Sequence, residues 1–268
     1  KDWVAFGPTV EPMTGLSQML GYSLQEPRNT AMALMDPIAG TTATTALLTA
    51  LREREETGCG AYVEMSLHEA GIVFNGPWII EHQLGGKLQP YGNAHPKMSP
   101  HGIYPCLTRG LGDDADWVAI ACQEDKDWQS LLTLIGADFD RQWDLASRQI
   151  HAAKIDEMIS KWTIHLDKDE VTEQLQDVGI AAGPVASAPD MLAEPHAEYR
   201  DFFVPLERQN TRVPGNPIRM RGLSSRQWTP CPPLGAHSKS ILQDWLGYTT
   251  QQTQTLVDTG IIAECPPD

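Results

Sequence analysis

The stretch from Asp36 to Glu69 constrains the fold more than any other part of this 268-residue chain. Pro37 follows Asp36, and Ile38, Ala39, Ala43, Ala46, Leu47 and Leu51 recur at helical spacing up to the charged run Arg52-Glu53-Arg54-Glu55-Glu56. An acidic cap, proline at the first helical position and Gly58 just past the end form a consistent start and stop. Residues 61–66 alternate Tyr62, Glu64 and Ser66 against Val63 and Met65, which predicts a strand. Ser66-Leu67-His68-Glu69 is a capping box and predicts a second helix from there to about Leu84. Helix, short loop, strand and helix in that order is the texture of an α/β domain.

The rest of the chain is read in the same way. Residues 1–21 predict a loop with a short helix. Gly and Pro become frequent from Gly85 to Gly112, predicting loops and short strands, one of them at 102–107. The apolar run at 117–122 predicts a central strand, and helices are expected at 125–135, 147–162 and 168–177, with Gly179 as a stop. A short strand at 180–185, a helical turn at 189–193, an edge strand at 202–206 and a strand at 218–223 follow. A Pro-rich segment at 229–233 precedes two amphipathic helices, 238–246 and 250–258. The expected organisation is a large-domain portion at 1–84, a linker at 85–97, a small α+β domain at 98–194, a linker at 195–217 and a return to the large domain at 218–268.

Charge narrows the function. Twenty Lys plus Arg against thirty-five Asp plus Glu give a net charge of −15, so no broad basic face is available for nucleic acid or an anionic membrane surface. No apolar run reaches the roughly 18–20 residues that span a bilayer. The chain opens Lys1-Asp2-Trp3, without a Met or a signal peptide, and reads as a piece of a longer reading frame. Five scattered cysteines, Cys59, Cys106, Cys122, Cys231 and Cys265, contain no C-x-x-C pair; they predict thiols without a chemical role and a reducing, cytoplasmic setting. Eight histidines form no metal-ligand spacing, so no metal site is expected. Neither a G-x-G-x-x-G fingerprint, a phosphate loop nor a G-x-S-x-G elbow occurs.

Asp36 is the acid that stands out. It is the only charge between Arg28 and Arg52, flanked by Ala33-Leu34-Met35 and Pro37-Ile38-Ala39. A carboxylate in apolar surroundings costs desolvation unless something hydrogen-bonds it. Pattern alone leaves two readings: an N-cap that accepts the free amides of the first turn, or a carboxylate nucleophile or base held at a helix start. The Gly92-Asn93-Ala94-His95-Pro96 turn offers a second candidate, either an ordinary surface turn or a loop that approaches a ligand closely.

Three ordered stretches together resemble the class III coenzyme A transferases, the family that includes formyl-CoA and carnitine CoA-transferases and α-methylacyl-CoA racemase. The first runs from Ala33-Leu34-Met35-Asp36-Pro37 through Arg54-Glu55-Glu56-Thr57-Gly58-Cys59-Gly60 to Val63-Glu64-Met65-Ser66. The second runs from Tyr91-Gly92-Asn93 through Pro100-His101-Gly102-Ile103-Tyr104-Pro105 to Trp117-Val118-Ala119-Ile120-Ala121. The third is Pro232-Pro233-Leu234-Gly235-Ala236-His237 with Leu246-Gly247-Tyr248. Order and spacing agree from about residue 6 to residue 262.

The resemblance implies an α/β fold with a partial Rossmann-like large domain and a small α+β domain. It implies a CoA-transferase that moves CoA from an acyl-CoA thioester to a carboxylic acid through a covalent intermediate on Asp36. Gly92 and Asn93 match a glycine-rich loop that closes over that intermediate, Leu67 matches a position lining the pantetheine channel, and His95 is an adjacent candidate for CoA binding. CoA and acyl-CoA are implied as substrates, with no permanently bound cofactor, and the expected assembly is a homodimer. The family's N-terminal nucleotide-binding segment has no counterpart here, which implies a truncated chain or a partner subunit that supplies it. Where some transferases carry a second acid this chain has Gly7, with Glu11 as a nearby substitute. Where the racemase pairs its aspartate with a histidine this chain has Phe6, which counts against racemisation. Acyl-CoA racemase and a non-catalytic subunit are the alternatives to transfer.

Overall fold

The protein is described by a computed structural model, which covers residues 5–108, 116–206, 211–222 and 231–263. Its internal contacts divide it into two units, Lys1–Val185 and Ala186–Asp268.

The first unit opens with α1 (Gly7–Met13) and α2 (Leu16–Met19), followed by α3 (Met35–Thr57), α4 (Leu67–Phe74) and α5 (Gly76–Gln83). Helix α3 stops where glycine was expected to stop it, at Gly58 with φ 74°. It begins two residues earlier than the sequence predicts: Leu34 is the N-cap and Asp36 lies inside the first turn. Six threonine hydroxyls on α3 bond back to their own i−4 carbonyls, Thr41 to Pro37 O and Thr57 to Glu53 O among them, so much of its polar surface is satisfied internally. Only Met35 and Ala39 of α3 are buried, and Leu47, Leu48 and Leu51 are exposed.

Val10, Leu16 and Met35 form the buried centre of this part, with Leu67 and Trp78 packed against it. Gly71 lets α4 come this close: a Cβ there would stand 2.5 Å from both Met35 Sδ and Thr14 Cγ2. Two predicted elements differ. The helix expected from 66 to 84 is broken at Asn75, because Pro77 has no N–H to continue the ladder and the Asn75 side chain donates instead to Thr14 O at 2.9 Å. Residues 61–66 run extended without a ladder partner among the described residues, and Tyr62 is 89% exposed. The alternation was real, but a strand exists only against another strand.

The second part of this unit carries β1 (His101–Pro105), β2 (Trp117–Ala121) and β3 (Ala181–Pro184) in an antiparallel sheet of order β1-β2-β3. Val118 and Ile120 of β2 point inward while Trp117 and Ala119 point out, the period of two expected of a half-covered strand. Helices α6 (Asp125–Ile135), α7 (Leu145–Ile150), α8 (Ala152–Thr163) and α9 (Lys168–Asp177) accompany it. The core joins Trp128, Leu131, Ile155, Ile159, Val171 and Leu175 to the inner face of β2. The helix expected at 147–162 is two helices that meet at His151. Burial pushes the Cys106 thiol up to about 11 and Cys122 up to about 12, so both remain protonated packing groups at neutral pH.

The second unit holds α10 (Ala188–Ala193), α11 (Pro195–Tyr199), an antiparallel pair β4 (Phe203–Leu206) and β5 (Thr211–Pro214), and a helical tail. The tail is α12 (Ser238–Ser240) running into a π-turn at Ile241–Trp245, then α13 (Thr250–Asp258), which a Thr249–Gln252 capping box opens. The strand expected at 218–223 is absent among the described residues: Asn216 Oδ1 accepts the Ile218 N–H at 2.9 Å, a local turn bond that competes with a ladder. Leu223, Thr229, Pro230 and Cys265 lie outside the described residues.

Arg148, 1% exposed, ties the small sheet's surroundings together. Its Nε donates to Ser99 O at 2.7 Å, and its Nη1 donates to Trp143 O at 2.6 Å and Asp125 Oδ1 at 2.7 Å. Replacing it with Met leaves two inward-facing carbonyls without a donor, which costs about 2–4 kcal/mol. Urea unfolding followed by tryptophan fluorescence checks this, and a loss below about 1 kcal/mol contradicts it.

Candidate active site

The segment before α3 is bent into an unusual path. Ala31 and Ala33 both sit in the left-handed region, at φ 59° and 48°. For an alanine this costs roughly 1–2 kcal/mol per residue, so something must hold the turn in place. Glu11 does so from the middle of α1. It is 0% exposed; its Oε1 accepts from Thr30 Oγ1 at 2.6 Å and Leu34 N at 2.8 Å, and its Oε2 accepts from Thr30 N at 2.9 Å. Thr30 Oγ1 in turn accepts from Met32 N at 3.3 Å. Asn29 ties the start of the same loop by donating to Pro8 O at 3.0 Å and accepting from Ser17 Oγ.

That loop delivers Asp36, whose N–H donates to Ala33 O at 2.9 Å. The Asp36 side chain is exposed and, among the described residues, accepts no hydrogen bond. It therefore does not cap α3, which removes one of the two readings left open by the sequence. Its charge in the first turn of a 23-residue helix is nonetheless favourably placed relative to the helix dipole. The carboxylate rests on the bare Cα of Gly7: a Cβ built there would lie 1.8 Å from Asp36 Oδ2 and 2.6 Å from the Ala33 Cβ. Gly7 and Glu11 are one turn apart on α1, so a single helix both seats the aspartate and anchors the loop that carries it.

Glu11 is thus a correction to the expectation of a second acid at the site, because both its oxygens are engaged by the loop. Burial raises its pKa, but the bonds from Thr30 and Leu34 outweigh burial and hold the carboxyl below the ordinary 4.5.

The other sequence candidates fall into two places. Leu67, the first residue of α4, is half-buried against the Val10–Leu16–Met35 cluster, next to the start of α3. Gly92, at φ 56°, turns its bare Cα to the Tyr22 ring, where a Cβ would meet Cδ1 at 2.4 Å. Asn93 O accepts from His101 Nδ1 at 2.6 Å, and the His95 and His101 rings lie 5.2 Å apart. His95 lines a cavity of ≈ 440 Å³ together with Tyr91, Met98, His101, Gln149 and Asp156, and Asp36 does not line it. Tyr104 donates to Asp156 Oδ1 at 2.7 Å; burial first, and then the Asp156 charge, keep Tyr104 a phenol.

The family profile for CoA-transferase family III matches residues 1–238. The chain belongs to that family. Among curated members, it is 27% identical over 262 residues to succinyl-CoA–D-citramalate CoA-transferase of Chloroflexus aurantiacus, covering 93% of this chain and 62% of that protein. It is 25% identical over 251 residues to succinate–glutarate CoA-transferase of Agrobacterium fabrum, covering 91% and 61%. This family III chain thus spans about three fifths of the length of these relatives. A CAIB/BAIF family protein from Brucella suis shares the fold, with a TM-score of 0.77 at 23% identity over 90% of this chain and 63% of that one. The mixed α/β architecture and the family expected from the three sequence stretches are borne out.

Sequence reasoning missed the loop's anchorage. Gly7 and Glu11 were both noticed, but only as a missing acid and its replacement; their four-residue spacing on one helix was the available signal. Nothing in Thr30-Ala31-Met32-Ala33 announces a left-handed backbone, since alanine is not a residue that favours it.

The Glu11 shift carries a sign. A carboxyl whose folded pKa lies below its unfolded value stabilises the protein above the unfolded value, and that contribution disappears as pH falls through the folded one. The stability gap between wild type and Glu11→Gln is therefore expected to narrow as pH is lowered from about 6 to about 3. Urea midpoints across that range measure it; a gap independent of pH contradicts the assignment.

Proposed function

We propose that this family III chain transfers CoA from an acyl-CoA thioester to a small carboxylate, with Asp36 as the nucleophile. The observation that carries this reading is a carboxylate delivered by a strained, anchored loop, exposed at the start of a long helix, with no hydrogen bond that occupies it. A capping aspartate has its oxygens engaged; a nucleophile needs them available.

The steps balance as follows. An Asp36 oxygen attacks the thioester carbonyl, the C–S bond breaks and CoA leaves as the thiolate, giving an aspartyl-acyl anhydride. The thiolate attacks the Asp36 side of that anhydride, releasing the donor carboxylate and leaving an aspartyl-CoA thioester. The acceptor carboxylate attacks this thioester and expels the thiolate, and the thiolate then attacks the acceptor's carbonyl, which frees Asp36 and yields the new acyl-CoA. Each tetrahedral intermediate carries an oxyanion that needs donors near Asp36. Gly92, Asn93 and Leu67 are assigned to contacts with the CoA arm and the intermediate, and His95 to a neighbouring position. The relatives named for succinyl-CoA–D-citramalate and for succinate–glutarate CoA transfer support a small carboxylic acid as the acceptor class.

We further infer that the CoA site is completed by protein beyond the described residues or by a second chain, a homodimer partner or a partner subunit. Leu47, Leu48, Leu51, Val73 and Leu84 are exposed on α3–α5 and its following turn, and the extended 61–66 segment has no ladder partner among the described residues. Two relatives are named as α and β subunits of one succinyl-CoA–L-malate CoA-transferase, which supports a two-chain arrangement.

Exchange of CoA between succinyl-CoA and a labelled carboxylate, followed by chromatography, tests the proposal. Asp36→Asn is expected to lower the rate by about 10³-fold or more, since an amide cannot form the anhydride. Gly7→Ala, which places a methyl where the carboxylate rests, is expected to lower it by roughly 10–10²-fold. No exchange by wild type contradicts transfer by this chain or its homodimer, and an undiminished rate in Asp36→Asn contradicts Asp36 as the nucleophile.

A further inference from the structure

Among the described residues of this region, Glu11 is the one ionisable side chain that is wholly enclosed, yet the transfer chemistry has no step for it. All three of its hydrogen bonds go to residues 30 and 34, on either side of the two alanines held in the left-handed region. Thr30 extends the grip to Met32 N, and Asp36 N closes onto Ala33 O. The loop between Thr30 and Asp36 therefore has its donors taken at 30, 32, 34 and 36, three of them through Glu11 or through the hydroxyl that Glu11 orients. An apolar residue at position 11 could fill the space and support none of this.

We propose that Glu11 is a positioning residue for Asp36: its buried carboxylate fixes the strained Thr30–Leu34 loop so that the Asp36 carboxylate stays seated on Gly7 and aimed outward. The proposal rests on Asp36 being the nucleophile. The alternative for such a group is general stabilisation of the fold, and the two differ in what they move. A stabilising contact lowers the amount of folded protein. A positioning contact lowers the rate of the folded protein, because a reacting oxygen displaced by about 1 Å can lose on the order of 10²-fold while the binding of the bulky CoA portion is untouched. Gln at position 11 keeps one acceptor oxygen for Thr30 Oγ1 and Leu34 N but sets its amide against Thr30 N, so it should retain part of the hold; Ala retains none.

The experiment compares wild type, Glu11→Gln, Glu11→Ala, Thr30→Val and Asp36→Asn in the succinyl-CoA exchange assay, with hydrogen-exchange mass spectrometry on the peptide spanning residues 28–36. For Glu11→Ala the expected result is a kcat lowered by about 30-fold or more, a KM for succinyl-CoA within about threefold of wild type, and faster amide exchange in that peptide than in the peptides of α6 and α9. Glu11→Gln and Thr30→Val are expected between it and wild type, and they carry the test if Glu11→Ala does not fold. Wild-type activity that Asp36→Asn abolishes and the position-11 and position-30 variants leave unchanged overturns the role of Glu11 alone. An Asp36→Asn protein as active as wild type overturns the nucleophile reading and this proposal with it.

Discussion

A buried carboxylate on a seven-residue helix determines how this chain presents its reactive-looking acid. Glu11 is removed from water, and what offsets that cost is three donors from the loop it holds. The arrangement is reciprocal: the loop makes the burial of Glu11 tolerable, and Glu11 makes the left-handed alanines tolerable. Asp36 is at the far end of this exchange. It is placed by contacts made by its neighbours, with none of its own side-chain oxygens spent, and the bare Cα of Gly7 receives it.

The small sheet obeys a different economy. Its strands and helices enclose a continuous apolar core, Arg148 binds the surrounding loops by donating to their carbonyls, and the cavity beside His95 lies between the entry loop and α7–α8. This part has little strain among its described residues and a conventional core. The loop before α3, with few apolar contacts and a costly backbone, is where the proposed chemistry would be lodged, as expected when strain is retained for positioning.

What could be read in advance follows from the range of the interactions. Helices α6 and α9 appear with the predicted bounds because their starts, stops and apolar faces are all local: Glu124 with Asp127 before one, Asp167 before the other, Gly136 and Gly179 after them. The end of α3 at Gly58 was legible for the same reason. Its first turn was not, because Asp36 has every local mark of a cap, while the N-cap is Leu34, whose N–H the distant Glu11 holds. The predicted strand at 61–66 shows the opposite failure: its alternation was right, and among the described residues no neighbouring strand pairs with it. The family itself was legible through the order of three motifs, while the seat under Asp36 needed coordinates, since it joins residues 29 positions apart.

The central claim is that one carboxylate, Asp36, becomes covalently acylated. Incubating the protein with succinyl-CoA, quenching with hydroxylamine and mapping the digest by mass spectrometry tests it directly. The account predicts a hydroxamate on Asp36 in wild type and on no residue in Asp36→Asn. A hydroxamate on a different carboxylate, or none after acyl-CoA is shown to be consumed, contradicts it.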